Sequence, residues 1–242
     1  MRYFYLFFIV LILGCIPSKK EFTAQEIIDA SIVNSGTDKV ANSYITFTFR
    51  DKKYSAKRNK GNFSLTRNFD SITDVLSNSG FKRFVNQIEI KVADSMVSRY
   101  TNSVNSVHYF SALPFGLNDT AVFKKRLASS TIKGKEYYKI EVTFSEKGGG
   151  QDFDDVFIYW IGKEDFLVDY LAYSYHTNGG GKRFRVLKEQ CSKNGIRFVD
   201  YYNFKPLNKS ISLLDIDKAF ENNQLRKISE IILKDINVDV LD

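Results

Sequence analysis

Cysteine, histidine and proline are scarce in this chain of 242 residues, which has two cysteines, two histidines and three prolines. So few histidines give little support to a catalytic triad, which needs a histidine base close to a nucleophile. His108 shares a predicted helix face with apolar residues, and we interpret it as a hydrogen-bonded core residue. No P-loop or GxGxxG segment follows a predicted strand, so nucleotide-binding motifs are missing as well.

Long hydrophobic runs are also missing. The apolar run at the start, Tyr3–Leu13, falls well short of the roughly 20 residues that a membrane-spanning helix needs. A basic residue precedes it and a small residue follows it, so residues 1–14 are predicted to be a signal peptide. The sequence Ile12-Leu13-Gly14-Cys15 resembles the lipobox of bacterial lipoproteins. That resemblance implies an acylated Cys15 and a tether over residues 15–22, and an ordinary signal peptide is the alternative.

The second cysteine, Cys191, would have no disulfide partner if Cys15 is acylated. We expect Cys191 in a polar loop between strands. A cysteine becomes a nucleophile when a base or a cation lowers its pKa, and the sequence places no such group beside it.

Acidic residues are outnumbered by basic ones, and the net charge is +7. No nucleic-acid-binding motif accompanies this charge, so nucleic acid is not an expected partner. In an envelope protein, a basic surface favours contact with the phosphates of lipids or lipopolysaccharide. The densest basic patch, residues 50–60, is predicted to be a solvated hairpin.

The folded region is predicted to begin with a helix from about residue 24 to residue 34. Thr23 and Glu26 have the spacing of a capping box, and Gly36 is a natural stop. From Tyr44 the apolar period changes to two, which indicates a half-buried strand. Further strands are predicted at about 53–58, 62–70, 81–86, 88–93, 130–133, 136–144, 153–161, 166–176, 182–188 and 196–204.

Helical spacing interrupts the strands in two places. Apolar residues recur every three or four positions from Asp94 to Phe110, and Asp119 is placed to cap a second helix through Leu127. A helical insertion is therefore expected at about 94–127. The tail from Ser212 to Leu233 has the same spacing and predicts C-terminal helices.

The predicted fold class is mainly β, in the α+β sense. Short connections between strands favour hairpins and hence an antiparallel meander. No repeat or linker divides residues 23–242, so we expect a single domain. The predicted architecture is a curved antiparallel sheet or half-barrel with covering helices.

Two Gly-Gly-Gly segments flank the most apolar pair of predicted strands. Residues 156–161 are apolar on both faces, which predicts a strand covered on both sides. The turn at 162–165 joins this strand to the next, so both glycine segments fall at the opposite end of one hairpin. The rim predicted there contains Gly148, Gly149, Gly150, Asp152, Gly179, Gly180, Gly181, Arg183 and Arg185.

The charged residues at this rim allow three interpretations. Asp154, Asp155 and His176 could form a carboxylate–histidine metal site, or backbone amides with Arg183 and Arg185 could clamp an anion. The third interpretation is a set of solvated turns with weak ion pairs. Because the spacing matches no strong ligand motif, we expect no metal and no cofactor.

Three segments carry a resemblance to a known family: NSVHYFSALPFGLND, GGGQDFDDVFIYWI and DYLAYSYHTNGGGKRFR. They are similar to an uncharacterised family of lipobox-bearing envelope proteins of Gram-negative bacteria, some of which carry aldolase-type names. The resemblance implies a location and a fold, and no activity. The order of elements is also similar to that of Lol-type lipoprotein carriers, whose sheet curls around an apolar cavity for acyl chains. Likeness of fold does not fix function.

The leading functional hypothesis is a non-enzymatic binder or carrier of a lipid or other amphiphile. It would be anchored through Cys15, at the outer membrane, and face the periplasm or the cell surface. The alternatives are a metal-assisted hydrolase at Asp154, Asp155 and His176, and a structural subunit that binds an envelope protein. Candidate ligand-lining residues are Phe47, Phe49, Phe157, Tyr159, Trp160, Tyr173 and Tyr175.

Overall fold

The structure is a computed structural model that describes residues 21–147, 153–176 and 179–241. Its helices are α1 (Ala24–Asn34), α2 (Asp94–Ser111) and α3 (Ile216–Glu221), with 3₁₀ turns at Thr37–Asn42, Phe115–Asn118 and Leu213–Asp215. Its strands are β1 (Ser43–Phe49), β2 (Lys52–Asn59), β3 (Asn62–Phe69), β4 (Ile72–Ser77), β5 (Gly80–Val85), β6 (Ile88–Ile90), β7 (Val122–Ile132), β8 (Lys135–Phe144), β9 (Val156–Gly162), β10 (Val168–Tyr175), β11 (Gly181–Lys193), β12 (Ile196–Pro206), β13 (Leu225–Ile231) and β14 (Leu233–Val240). In this part of the chain, no helix has both the length and the hydropathy to cross a membrane.

The described strands form two antiparallel sheets of seven strands each. The first sheet has the order β14-β1-β2-β3-β4-β5-β6, and the second has the order β13-β12-β11-β10-β9-β8-β7. Except for β14, neighbours in a sheet are consecutive in the chain, as a meander of hairpins requires. The sheets meet where β13 leads into β14, and there the Leu233 amide donates to the Asp200 carboxylate of β12 at 2.9 Å. The predicted fold class, mainly antiparallel β with covering helices, is confirmed.

Helix α1 begins at the predicted capping box and covers one face of the second sheet. The Glu26 amide donates to Thr23 Oγ1 at 3.2 Å, and the Thr23 amide donates to the Glu26 carboxylate at 2.8 Å. Ile27 and Ile28 are fully buried against the sheet. After the helix, Gly36 has a φ of +66° and lies so close to the β11–β12 turn that a Cβ would be 1.8 Å from the Gly195 carbonyl oxygen. Only glycine fits both conditions.

The opposite face of the second sheet is covered by α3 and the 3₁₀ turn before it. Tyr159 enters the core under α1, whereas its neighbour Trp160 enters the core under α3. The prediction that β9 is covered on both faces is therefore confirmed. A buried ion pair ties α3 to the sheet: Lys139 lies 3.0 Å from Asp217, and Trp160 Nε1 donates to the same carboxylate at 3.1 Å.

Helix α2 lies across the first sheet and buries His108, as predicted. The His108 Nε2 atom lies 2.9 Å from the Thr66 carbonyl oxygen. Burial lowers the pKa of His108 to about 4, so the neutral ring donates from Nε2 to that carbonyl at pH 7. Beneath the same helix, the buried Asp74 carboxylate accepts from Arg67 and Arg83.

The predicted helical insertion is too long. After α2 only the 3₁₀ turn at Phe115–Asn118 is helical, and Asp119 ends this turn instead of starting a helix. Residues up to Leu127 belong to β7, which is an edge strand of the second sheet. Its run Lys124-Lys125-Arg126 hides the strand period, because edge strands tolerate charged side chains on both faces.

The prediction of a helical tail to Leu233 is wrong beyond α3. Strands β13 and β14 follow, and they pair with β12 and β1, which are distant in sequence. The spacing of apolar residues within a segment does not show which distant strand the segment pairs with. Strand β4 was not predicted, since the buried Asp74 interrupts its apolar pattern. Cys191 lies in β11 opposite Phe198 and not in a loop, and its side chain is exposed.

Candidate functional site

A cavity of about 710 Å³ lies between the C-terminal half of α2 and the face of the second sheet that carries α1. Its remaining wall comes from the junction of the two sheets, where Phe49 of β1 and Leu233 of β14 line it. Pockets that bind small molecules have volumes of roughly 300–1,000 Å³ and mostly apolar linings with a few polar groups. This cavity has the corresponding size, and polar or charged residues make up nearly half of its described lining.

Aromatic rings form one continuous wall of the cavity. Phe157 of β9 and Tyr173 of β10 are paired across the strands, and their ring centroids are 5.3 Å apart. Phe110 of α2 packs on both, with centroid distances of 6.0 Å and 5.7 Å. Rings in such contact provide a rigid apolar surface at little entropic cost.

The structure brings together four of the seven predicted lining residues. Phe49, Phe157, Tyr173 and Tyr175 line the cavity. The other three, Phe47, Tyr159 and Trp160, are buried outside its lining.

Each of these three buried residues has another environment. Phe47 stacks on Tyr54 at 5.2 Å, beneath α2. Tyr159 lies behind the aromatic wall, where its hydroxyl is 3.1 Å from that of Tyr109. Trp160 faces α3 on the other side of the sheet.

Three arginines line the cavity, against one acidic residue among its described lining residues. Arg185 of β11 is buried, and its guanidinium carbon lies 3.8 Å from the centroid of the Phe110 ring. Arg183 lies over Tyr175 at 4.9 Å, and Arg50 lies over Phe49 at 5.1 Å. Asp155 is the acidic residue, so the described lining carries a positive net charge.

The buried tyrosines beside the cavity do not neutralise this charge. Burial raises the pKa of Tyr201 to about 12. Burial likewise raises the pKa of Tyr109 and of Tyr159 above the ordinary tyrosine value. All three phenols are therefore uncharged at pH 7 and act as neutral hydrogen-bonding groups.

The predicted carboxylate–histidine group is also brought together, at one end of the cavity. His176 Nδ1 lies 3.2 Å from an Asp154 carboxylate oxygen and 3.7 Å from an Asp155 carboxylate oxygen. One potential ligand atom from each of the three lies within 4.8 Å of the others. Asp155 is buried, whereas Asp154 and His176 are exposed, so a metal bound here would be reached from solvent.

A second hollow of about 650 Å³ adjoins the first at the rim. Gly179, Gly180 and Gly181 line it, together with the basic residues Lys182, Arg183, Lys205, Lys209 and Arg226. A Cβ at Gly181 would lie 2.7 Å from the Tyr175 hydroxyl, so a larger residue here would displace the Tyr175 side chain. Gly148, Gly149, Gly150 and Asp152 lie outside the described residues.

Sequence reasoning missed the contribution of α2 to the cavity. Asn105, Tyr109 and Phe110 line it from this helix. They occupy the helix face that does not carry the buried Val104 and His108. The two consecutive aromatic residues Tyr109 and Phe110, outside the face of Val104 and His108, are a signal that the sequence contains, but they do not show that a sheet lies opposite.

Comparison with solved structures supports the fold over nearly the whole chain. A DUF1329 family protein from Desulfovibrio piger superposes with a TM-score of 0.55 at 10% identity, covering 90% of this chain and 94% of that one. A LolA superfamily protein from Nitrosomonas europaea matches with a TM-score of 0.48 at 11% identity, with coverages of 92% and 94%. A putative outer membrane lipoprotein-sorting protein domain from Vibrio parahaemolyticus has a TM-score of 0.48 at 8% identity, with coverages of 89% and 93%.

Comparison of the sequence gives the family. No curated protein matches it. A family model matches residues 2–232, which is most of the chain. This protein belongs to DUF6503, a family of unknown function.

Proposed function

We propose that this protein binds a lipid or another amphiphile in the cavity beside α2 and does not act as an enzyme. The observation that carries the proposal is the cavity itself, with about 710 Å³ of space against an aromatic wall. Phe110, Phe157 and Tyr173 offer a surface for an apolar tail. The arginines and amides at the other walls offer partners for a polar head.

The sequence supports a place in the cell envelope for this binding protein. Ile12-Leu13-Gly14-Cys15 resembles a lipobox and lies outside the described residues. Acylation of Cys15 would attach the chain to a membrane, with several acyl chains giving stable anchoring. We place the anchored protein at the outer membrane, facing the periplasm or the cell surface, where an envelope protein could exchange ligand with it.

The proposal that the ligand binds in the cavity can be tested by placing a larger side chain there. Val199 of β12 lines the cavity and is partly buried. The variant Val199→Trp would place an indole in the ligand space, while Val33→Trp makes the same change on α1 at a side chain that is 68% exposed. The assay is fluorescence titration with cis-parinaric acid, using the unacylated chain from Cys15 to Asp242.

We expect the wild-type chain and Val33→Trp to bind the probe equally. Val199→Trp should bind it at least about tenfold more weakly, because tryptophan excludes the tail. Equal binding by all three proteins would show that the probe binds elsewhere. No binding by the wild-type chain would contradict the proposed function.

A metal-assisted hydrolase is the second candidate, and one observation favours it. Asp154, Asp155 and His176 bring three potential ligand atoms within 4.8 Å of one another. Such a site would activate a water molecule for attack on an ester or phosphate. It requires about one metal ion per chain after purification and loss of that ion in His176→Ala. Metal analysis of both proteins decides this, and a metal-free wild-type chain after incubation with zinc would exclude the candidate.

A further inference from the structure

Arg185 is a buried cation that has no ion pair among the described residues. Its relative exposure is 8%, and its Nε atom has no hydrogen-bond partner. Among the described residues, its one side-chain hydrogen bond is donated to the Tyr173 hydroxyl, at a long 3.4 Å. A buried charge without a counter-charge is costly unless another group compensates it. The position of Arg185 therefore indicates a partner from outside the chain.

The acidic residue in the described lining, Asp155, does not compensate the charge of Arg185. The Asp155 carboxylate pairs with His176 at 3.7 Å, and no ion pair within 4.0 Å joins it to Arg185 in the described part of the chain. The nearby Tyr201 hydroxyl is neutral, since burial raises its pKa to about 12. Arg183 and Arg50 only add to the positive charge.

A second unpartnered polar atom lies next to Arg185. Asn203 of β12 is its cross-strand neighbour, and both side chains line the cavity. The side-chain Nδ2 atom of Asn203 donates to Ser229 Oγ at 3.1 Å, but the Oδ1 atom of Asn203 is buried without a partner. A donor without a partner, Arg185 Nε, and an acceptor without a partner, Asn203 Oδ1, thus lie on neighbouring residues of one wall. A polar group that both accepts and donates hydrogen bonds would satisfy them.

The guanidinium of Arg185 packs against an aromatic ring, and its central carbon lies 3.8 Å from the centroid of the Phe110 ring. Arginine binds carboxylate or phosphate oxygens through paired N–H bonds, and it can do so while it contacts an aromatic face. The aromatic wall of Phe110, Phe157 and Tyr173 begins beside it, so an anion at Arg185 would have an apolar surface next to it.

We infer that Arg185 binds the acidic head group of the amphiphile, a carboxylate or a phosphate, while the tail lies on the aromatic wall. Where the head group also carries a hydroxyl, Asn203 Oδ1 accepts a hydrogen bond from it. This inference rests on the proposed function and adds the chemical class of the ligand. It makes the protein selective for anionic amphiphiles over neutral ones with the same tail.

The test compares probes that differ only in the head group. cis-Parinaric acid and its methyl ester share one tail, and a fluorescently labelled phosphatidic acid and the matching diacylglycerol form the phosphate pair. Each is titrated into the unacylated chain from Cys15 to Asp242, and into Arg185→Met and Lys57→Gln. Lys57 is an exposed basic residue of β2, so its variant controls for the change in net charge.

We expect wild type and Lys57→Gln to bind one of the two acids at least about tenfold more tightly than its neutral analogue, because hydrogen bonds to a charged group are strong. Arg185→Met should lose this preference and keep its affinity for the neutral probe. The pair that shows the preference identifies the head group as carboxylate or phosphate. If Arg185→Met does not fold, Arg185→Lys replaces it, and the acid preference should fall as the guanidinium fork is lost.

Two results would overturn the inference and leave the proposed function standing. One is equal affinity of the wild-type chain for acid and neutral probes. The other is an Arg185 variant that weakens both probes equally, which is the result for a purely structural arginine. Failure of the wild-type chain to bind any probe would overturn the proposed function as well.

Discussion

Buried ionisable side chains are concentrated around α2 and the cavity beside it. The sequence predicts Phe157 and Tyr173 as candidate lining residues, and the structure places both in the cavity lining. The sequence did not predict the burial of Arg185, because this residue stands in the charged run Lys182–Arg185 beside a glycine turn. Burial at that position depends on Phe110, which is distant in sequence and comes from a helix.

His108 predicts a pH dependence at the residue scale. Its pKa is lowered by burial to about 4 in the folded state, against an ordinary value of about 6.5 in the unfolded chain. The unfolded chain therefore takes up this proton first as the pH falls. The stabilising contribution is complete above pH 6.5 and is lost as the pH falls toward 4. The free energy of unfolding should drop by about 2 kcal/mol between pH 7 and pH 5 from this residue.

Urea denaturation of the wild-type chain and His108→Gln at several pH values measures this contribution. Glutamine retains a hydrogen-bond donor for the Thr66 carbonyl and does not titrate. The difference in unfolding free energy between the two proteins should therefore shrink as the pH falls. A difference that stays constant from pH 7 to pH 5 would show that His108 does not titrate in this way.

Secondary-structure elements follow local sequence where their signals are local. The capping box at Thr23 and the spacing of residues in α2 predicted both helices well. The tail failed because Leu225 and Ile228 have a helical interval, yet they lie in β13, an edge strand that leaves Ile228 39% exposed. Apolar residues spaced three or four positions apart do not indicate a helix there, because the segment is held as a strand by its pairing with β12.

The attachment of α3 to the second sheet gives a prediction at the element scale. Asp217→Ala removes the counter-charge of the buried Lys139 and one of the two acceptors of Trp160 Nε1, the other being Ser130 Oγ. Removing one partner of a buried pair costs about 3–5 kcal/mol, so the urea midpoint should fall sharply. The matched control is Asp215→Ala, whose ion pair with Lys218 is exposed. Its midpoint should stay at the wild-type value, and equal loss in both variants would contradict the role of the buried pair.

The described residues combine two open sheets, helices on their faces and a cavity at their junction. The superposition on a DUF1329 protein agrees with the fold that strand alternation predicted. The cavity was not predictable as a volume, because it depends on the angle at which α2 and the two sheets meet. What alternation did predict was a strand at residues 156–161 that is covered on both faces.

If the cavity holds an amphiphile in the cell, the protein should carry one when it is isolated. Native mass spectrometry of the protein purified from its own cell envelope, after exchange out of detergent, measures this. We expect an additional mass of lipid size, about one per chain, that is reduced or absent in Val199→Trp and retained in Val33→Trp. A wild-type protein that carries no such mass, and takes up none from added lipid, would show that the cavity does not hold an amphiphile.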